Sequence, residues 1–356
     1  MENTPALSDR QKFILGCSKD RKSFQVKDIF EAFSEKFDVK RLTLVRDLID
    51  LEKKGILEKS GKGRAVSYRV SLKFLAREEV DPDRYFSMPL DERNAKPLFD
   101  EVVFSLLESR IFSEVEKIRL ETVNASYLQA KEKLQKESPT ILKREWERLI
   151  VELSWKSSEI EGNTYTLLET EALLKEKQHA EGKDKAETQM ILNHKKALDF
   201  ILGKKDFFRD ITVEKIKEIH ALLVEDIEIK TDFRNHPVGI TGTLYRPLPK
   251  YRDIDEAMNR MTELCSRTEN IFERAFIFLI LISYVQPFED GNKRTARILS
   301  NAVLYAHDKS MLSYRSVSAV EYKKALVLFY EQNNISYIKK IFLEQFAFAV
   351  ENYFGE

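Results

Sequence analysis

The stretch Ser283-Tyr284-Val285-Gln286-Pro287-Phe288-Glu289-Asp290-Gly291-Asn292-Lys293-Arg294-Thr295-Ala296-Arg297 puts carboxylate, glycine, amide and three cations into one turn. An apolar run, Ala275–Val285, leads into it, and a new helical pattern leaves it near Asn292. The glycine therefore falls where unpaired backbone N–H groups of a helix N-terminus gather. Those groups, with Lys293, Arg294 and Arg297, can hold phosphate oxygens, while Asp290 offers a hard oxygen to Mg²⁺. The chemistry expected of this turn is the grip of a metal-bound polyphosphate.

The elements that must carry such a turn are mostly helices. The 356 residues contain only 11 Gly and 9 Pro and are rich in Leu, Lys, Glu, Ile and Phe, a composition that predicts a mainly α protein with room for two or three domains. Lys+Arg and Asp+Glu are equal at 59 each, which excludes a globally basic nucleic-acid binder but not a local basic patch. Cys17 and Cys265 are too few and too far apart for a disulfide framework or a zinc site. Met1-Glu2-Asn3-Thr4-Pro5 lacks the basic and apolar segments of a leader, and Ala275–Val285 is too short to span a bilayer, so a cytoplasmic protein without membrane contact is expected. In the tail, Phe329, Ile338, Phe342, Phe346 and Val350 recur at helical spacing and are expected in closing core helices; a homodimer is compatible with this stripe.

The turn resembles the signature of the Fic (Fido) family, His-Pro-Phe-x-Asp/Glu-Gly-Asn-Gly/Lys-Arg-x-x-Arg, over residues 286–297, with Gln286 in place of the leading histidine. The resemblance implies a Fic-type helical bundle over 98–356 that transfers AMP from ATP to a Tyr, Thr or Ser hydroxyl of a target protein. By the same resemblance Asp290 is the Mg²⁺ ligand, Gly291 and Asn292 form the phosphate nest, and Arg294 and Arg297 are the phosphate cations; Lys293 stands where most AMP-transferring members have glycine, which leaves open whether AMP or another group is transferred. Tyr322 falls where relatives place an aromatic near the adenine, although a core tyrosine reads equally well. Pro287 and Phe288 are read as architectural. The leading histidine takes the hydroxyl proton; an amide at Gln286 can orient a hydroxyl but cannot accept its proton, and losing a positioned base typically costs about 10²–10⁴ in rate. Whether the chain is an enzyme is thus open from sequence. Of the five histidines, His194 and His220 sit in helical patterns that predict packing roles, and His236 alone lies near the proposed flap, where Pro237 favours a turn.

Upstream, Ser157-Ser158-Glu159-Ile160-Glu161-Gly162 resembles the family's inhibitory pattern, residues 157–162, with Gly162 also suited to cap a helix. A carboxylate at Glu161 set against Arg297 would occupy the cation otherwise aimed at the γ-phosphate, which implies auto-inhibition. Some relatives use this glutamate to orient water and remove AMP, so a de-AMPylase is one alternative. Residues 236–249, Gly- and Pro-rich with alternating Val238, Ile240 and Leu244, predict a small β-hairpin. In the resemblance it is the flap beside the nucleotide, with Ile240 and Thr241 as contacts.

Residues 1–75 read as a separate domain: three helices, the third carrying Leu44, Leu48 and Leu51 on one face, then a hairpin with a basic turn at Lys59, Lys62 and Arg64. This order resembles a winged helix-turn-helix. Met1–Lys73 holds seventeen Lys/Arg against eleven Asp/Glu, so DNA is one partner to consider and a docking or dimerisation role another. The second alternative for the whole chain is a silent ATP-binding regulator acting through this domain on DNA or a protein. Residues 76–97, with Asp81-Pro82-Asp83, Met88-Pro89 and Lys96-Pro97, are expected as a linker.

Overall fold

A computed structural model describes residues 7–19 and 21–355, and the chain divides into two compact units, Met1–Glu79 and Val80–Glu356. The Met1–Pro5 stretch on which the leader argument rests lies outside the described residues.

In the first unit Ser8 caps α1 (Asp9–Ser18), its Oγ accepting from Gln11 N–H while Gln11 Oε1 accepts from Ser8 N–H. Helix α2 (Val26–Phe37) ends where Asp38 takes a left-handed conformation. Helix α3 (Arg41–Lys53) buries Leu44, Leu48 and Leu51 completely, and Gly55 at φ 70° turns the chain out of it. Strands β1 (Leu57–Ser60) and β2 (Ser67–Val70) pair antiparallel with Leu57 opposite Val70, and Phe24 bridges to Tyr68. Among the described residues this is the only sheet.

A short helix α4 (Leu72–Leu75) closes the first unit. The second contains α5 (Pro82–Phe86), α6 (Val102–Leu107), α7 (Glu114–Glu137), α8 (Pro139–Ile160), α9 (Leu167–Glu176), α10 (Lys185–Gly203), α11 (Val213–Leu223), α12 (Tyr251–Arg267), α13 (Ile271–Val285), α14 (Asn292–Ala306), α15 (Ala319–Gln332) and α16 (Ser336–Phe354). Helix α13 is apolar all round and lies in the centre, buried from Ala275 to Val285, with α14 as its main neighbour. The tail stripe Phe329, Ile338, Phe342, Phe346 and Val350 is buried, as expected of core helices.

Two expectations change. The stretch 76–97 is not a free linker throughout: Tyr85 is buried and donates from its hydroxyl to Glu331 Oε2 at 2.7 Å, and Lys96 N–H donates to the Glu331 carbonyl at 2.8 Å. Residues 236–249 form no hairpin; they hold a turn at Thr241-Gly242 and a single bridge from Arg246 to Leu98. Arg246 N–H donates to the Pro97 carbonyl rather than across the segment, and Pro237, Pro247 and Pro249 have no N–H to give a ladder.

The 286–292 loop between α13 and α14 is braced from several sides. Gln286 ends α13 in a left-handed conformation at φ 50°. Arg234, 2% exposed, donates from Nε to the Gln286 carbonyl at 2.7 Å, from Nη2 to Val285 at 3.3 Å and from Nη1 to His236 at 2.6 Å, so one guanidinium satisfies the carbonyls at the helix end. Asn292 clamps the loop, accepting from Phe288 N–H at 2.8 Å and donating to the Phe288 carbonyl at 2.9 Å. Beneath lies His220, its ring stacked on Phe288 with centroids 3.6 Å apart, Nδ1 facing Thr295 Oγ1 at 3.2 Å and Nε2 facing the Lys230 carbonyl at 3.4 Å. Burial pushes the His220 pKa down to about 4; the Lys230 carbonyl opposes this and the Arg294 charge adds to it. His194, fully buried with neither ring nitrogen hydrogen-bonded, is displaced in the same direction by burial and by Arg297 and Arg294.

Both braces make predictions. Tyr85→Phe leaves a buried Glu331 oxygen without its donor and should lower the unfolding free energy by about 1.5–3 kcal/mol in urea titration; an unchanged midpoint would mean that residues 80–97 hang free. For His220 the folded pKa lies below the unfolded value near 6.5, so the unfolded chain binds a proton the folded chain refuses, and stability falls as pH drops through that window. From about pH 7 to pH 5 its share is ~2 kcal/mol. His220→Asn should therefore show a flatter dependence of urea midpoint on pH than wild type, whatever its absolute stability, and an equal slope would show that this ring titrates freely.

Candidate functional site

The site is built where the last turn of α8 meets the first turn of α14. Gly291 starts α14 at φ 75°, a conformation L side chains rarely adopt, and a Cβ there would lie 3.3 Å from His220 Cε1 and 3.4 Å from Val224 Cγ1. The first intrahelical bond, from Thr295 N–H to the Gly291 carbonyl at 2.9 Å, leaves the N–H groups before it outside the ladder. Their positive end of the helix dipole faces out beside three cations on the same turn.

Those cations are placed differently. Arg297 is fully buried; its Nε donates to Ser157 Oγ at 2.8 Å and its Nη2 donates to the Ser157 carbonyl and to Glu161 Oε1, each at 2.8 Å. Its Nη1 is buried and makes no hydrogen bond. Lys293, one turn earlier, reaches the other Glu161 oxygen at 3.5 Å. Burial opposes ionisation of Glu161, but Arg297 and Lys293 outweigh it and hold the carboxyl below its ordinary range, so it is charged at neutral pH. Arg294 is 2% exposed, donates from Nη1 to the Leu223 carbonyl at 3.2 Å and lies 3.6 Å from Asp290. The Asp290 carboxylate itself is 71% exposed.

The structure thus gathers Ser157, Glu161, Lys293 and Arg297 into one ionic cluster, with Gly162 at φ 102° turning the chain just after α8. Asp290, Gly291, Asn292 and Arg294 stand next to it on the loop and first turn. Gln286 points its amide elsewhere: Nε2 donates to the Ser283 carbonyl at 2.6 Å, folding the side chain back on its own helix. Ile240 packs against the core and Thr241 is exposed; among the described residues neither has a hydrogen bond or ion pair with 286–297. Tyr322, expected near a base, is instead fully buried, with Arg297 Cζ 5.3 Å from its ring centroid and Tyr314 edge-on to it. A ring without accessible surface backs the arginine; it does not face a ligand. His236 comes to the rim of the loop, with Nε2 4.0 Å from Glu289 and the side chain 54% exposed.

Sequence reasoning missed Arg234 and the second arm of the cluster, Lys293 to Glu161. An arginine between Phe233 and Asn235 carries no local sign that its partners are carbonyls some fifty positions away. The pairing of Lys293 was readable in principle, since Lys293 and Arg297 are four apart and share a helix face.

The arrangement can hold an anion between a helix N-terminus and buried guanidinium groups. Among the described residues no group of three or more His, Cys, Asp and Glu forms a ready-made metal cage, so a divalent ion here would rely on Asp290 and on oxygens of the anion. The unpaired Nη1 of Arg297 and the open Asp290 carboxylate fit that combination.

Comparison with known proteins agrees with this geometry. The Fic/DOC family model matches residues 210–304. The protein adenylyltransferase Fic of Nematostella vectensis is 32% identical over 157 residues, 42% of this chain and 36% of that protein. The Drosophila melanogaster protein adenylyltransferase Fic is 29% identical over 175 residues, 47% of this chain and 35% of that protein. The chain spans about a third of the length of these relatives. Among solved structures, Fic-1 (residues 134–508) of C. elegans superposes with TM-score 0.55 at 19% identity, covering 68% of this chain and 72% of that one. A Fic domain containing signaling protein of Bacteroides thetaiotaomicron gives 0.52 at 21% identity, covering 66% and 97%. These likenesses carry the fold, the family model carries the motif, and together they establish that this chain contains a Fic/DOC-family domain.

Proposed function

We propose that this chain is a Fic-type protein adenylyltransferase, transferring AMP from ATP to a Tyr, Thr or Ser hydroxyl of a target protein, held back by Glu161 and slowed by Gln286. The observation that carries the reading is the 2.8 Å contact of Glu161 with Arg297 at the anion-ready start of α14. ATP phosphates would lie against the N–H groups after Gly291 and against Lys293, Arg294 and Arg297. Mg²⁺, held by Asp290 and phosphate oxygens, would neutralise part of the triphosphate charge. With Glu161 in place, the cation suited to the γ-phosphate is occupied, so ATP would bind in an unreactive pose. Residues 236–249, with no ladder of their own, leave backbone groups free for a target segment, with Ile240 and Thr241 alongside.

In the reaction the target hydroxyl oxygen bonds to the α-phosphorus, the bond to pyrophosphate breaks, and the hydroxyl proton must leave. Gln286 cannot take it, and its amide is already committed to Ser283. That same observation favours a second reading, in which the chain binds Mg-ATP as a regulator without transferring AMP. A carboxylate at Glu161 that serves as base in AMP removal is the third.

Two measurements separate these readings. Calorimetry should show Mg-ATP binding that Arg297→Ala weakens by about 10- to 100-fold and Glu161→Gly strengthens; absence of binding in every variant sinks all three. With labelled ATP, label on protein only in the Gln286→His, Glu161→Gly double variant supports the transferase. Binding without label in any variant moves the conclusion to the regulator, and release of label from a pre-modified target, lost in Glu161→Gly, moves it to AMP removal.

A further inference from the structure

The segment 236–249 has no ladder, so its position has to come from the groups around it. Its start is tied where Arg234 donates from Nη1 to the His236 carbonyl at 2.6 Å. Its end is tied where the Tyr245 hydroxyl donates to the Tyr284 carbonyl at 2.8 Å, with the two rings stacked at 4.6 Å between centroids, and where Arg246 N–H donates to Pro97 at 2.9 Å. Between those ties lies the turn at Thr241-Gly242. Arg93 reaches that turn from the strap formed by residues 80–97, donating from Nη1 to the Gly242 carbonyl at 3.3 Å.

Arg93 is itself fixed firmly enough to serve as an anchor. Its side chain is 11% exposed, and Nη1 lies 3.8 Å from Oε1 of Glu331, a carboxylate with no exposure at all. Oε2 of that acid accepts from Tyr85, while Oε1 makes no hydrogen bond, so the guanidinium supplies the opposite charge on this side of a buried anion. Nε donates to the Met88 carbonyl at 3.3 Å, and Cζ lies 4.8 Å from the Phe86 ring centroid and 5.9 Å from that of Tyr85. The acid, the carbonyl and the rings all belong to the strap or to α15; Gly242 is the contact that leads out of this cluster. An arginine fork already held by its neighbours loses little further freedom in donating once more.

We propose that Arg93 is a positioning residue for the target segment: the strap, clamped to α15 through Tyr85 and Glu331, holds the Thr241-Gly242 turn through this guanidinium and so presents the backbone of 238–241 to an incoming strand. What the segment does rests on the transferase reading; how it is held does not. Among the described residues Arg93 has no hydrogen bond or ion pair with 286–297, so its effect on the reaction passes through Gly242. Without it, the chain from Pro237 to Leu244 hangs between its end ties, and a target must order it on binding, at a cost in affinity and rate.

The test follows amide deuterium exchange in the full chain, wild type against Arg93→Ala and Arg93→Lys. Alanine also strips the buried Glu331 of its counter-charge; lysine keeps a positive charge there but lacks the planar fork that reaches Met88, Glu331 and Gly242 together, so the lysine variant decides. In both variants exchange over 238–246 should quicken about 3- to 10-fold, the weight of one hydrogen bond, with α13 and α14 unchanged. In the Gln286→His, Glu161→Gly background with labelled ATP, adding Arg93→Lys should slow labelling of protein by about the same factor at an unchanged half-saturating Mg-ATP concentration. Unchanged exchange in both variants would overturn the proposal. So would faster exchange with labelling unaffected, which makes the contact purely structural, or a rise in half-saturating Mg-ATP that accounts for the slowing, which puts Arg93 on the nucleotide side. A parent double variant that never labels would sink the transferase reading instead, and the exchange result then decides alone whether Arg93 holds the turn.

Discussion

A fully buried guanidinium organises the second unit. Taking Arg297 out of water is costly by several kcal/mol unless its charge and hydrogen bonds are answered, and the answer comes wholly from the end of α8: Ser157 Oγ, the Ser157 carbonyl and the Glu161 carboxylate. The arginine therefore fixes the distance and rotation between α8 and α14. It also joins two helix ends of opposite polarity, the carbonyl-rich C-terminus of α8 and the N–H-rich start of α14. Tyr322 and Tyr314 behind it exclude water, which strengthens the pairing and raises the penalty for leaving the cation alone. A site of this kind favours exchange over vacancy. Whatever displaces Glu161 must bring its own negative charge, so carboxylate and phosphate are natural competitors for the same cation.

The loop between α13 and α14 is held in place by bracing from several sides. Gln286 sits in a left-handed conformation that disfavours a residue with a Cβ. Its cost is met by Arg234, which gathers the Val285 and Gln286 carbonyls that would otherwise end α13 unpaired. Asn292 closes the other end through the Phe288 peptide, and Phe288 is pinned by its stack on His220. Because Asn292 is consumed in this clamp, its side chain shapes the nest without lining it. The anion-binding capacity of the turn belongs to backbone N–H groups and to Lys293, Arg294 and Arg297.

Much of this was legible before any coordinates, and the exceptions have physical causes. Helices with strong periodicity, such as α3 with Leu44, Leu48 and Leu51 on one face, stood out because their signals are local. So did the turn at 286–297, whose glycine and cations are adjacent in sequence. The missing hairpin at 236–249 shows the limit: alternating Val238, Ile240 and Leu244 imitate a strand, but the prolines and the pull of Pro97 on Arg246 decide otherwise. The strap at 80–97 reads as a linker because prolines punctuate it, while its anchor is a single tyrosine against a glutamate far along the chain. Tyr322 could be read either as core or as ligand contact, and only burial distinguishes them. Long-range partners of buried polar groups are what a single sequence conceals most completely.

The neutral total charge conceals something similar. Met1–Lys73 carries seventeen Lys/Arg against eleven Asp/Glu, leaving 42 against 48 for the remainder, so the balance of the whole chain is a cancellation between regions of opposite sign. What decides behaviour is which charges are already answered. In the second unit the cations at the start of α14 are answered internally, by Glu161, Asp290 and the Leu223 carbonyl, and an incoming anion must compete for them. On α3 the acids are answered in turn, Asp47 by Arg10 and Asp50 by Lys54. Which cations are answered thus depends on the placement of a few acids.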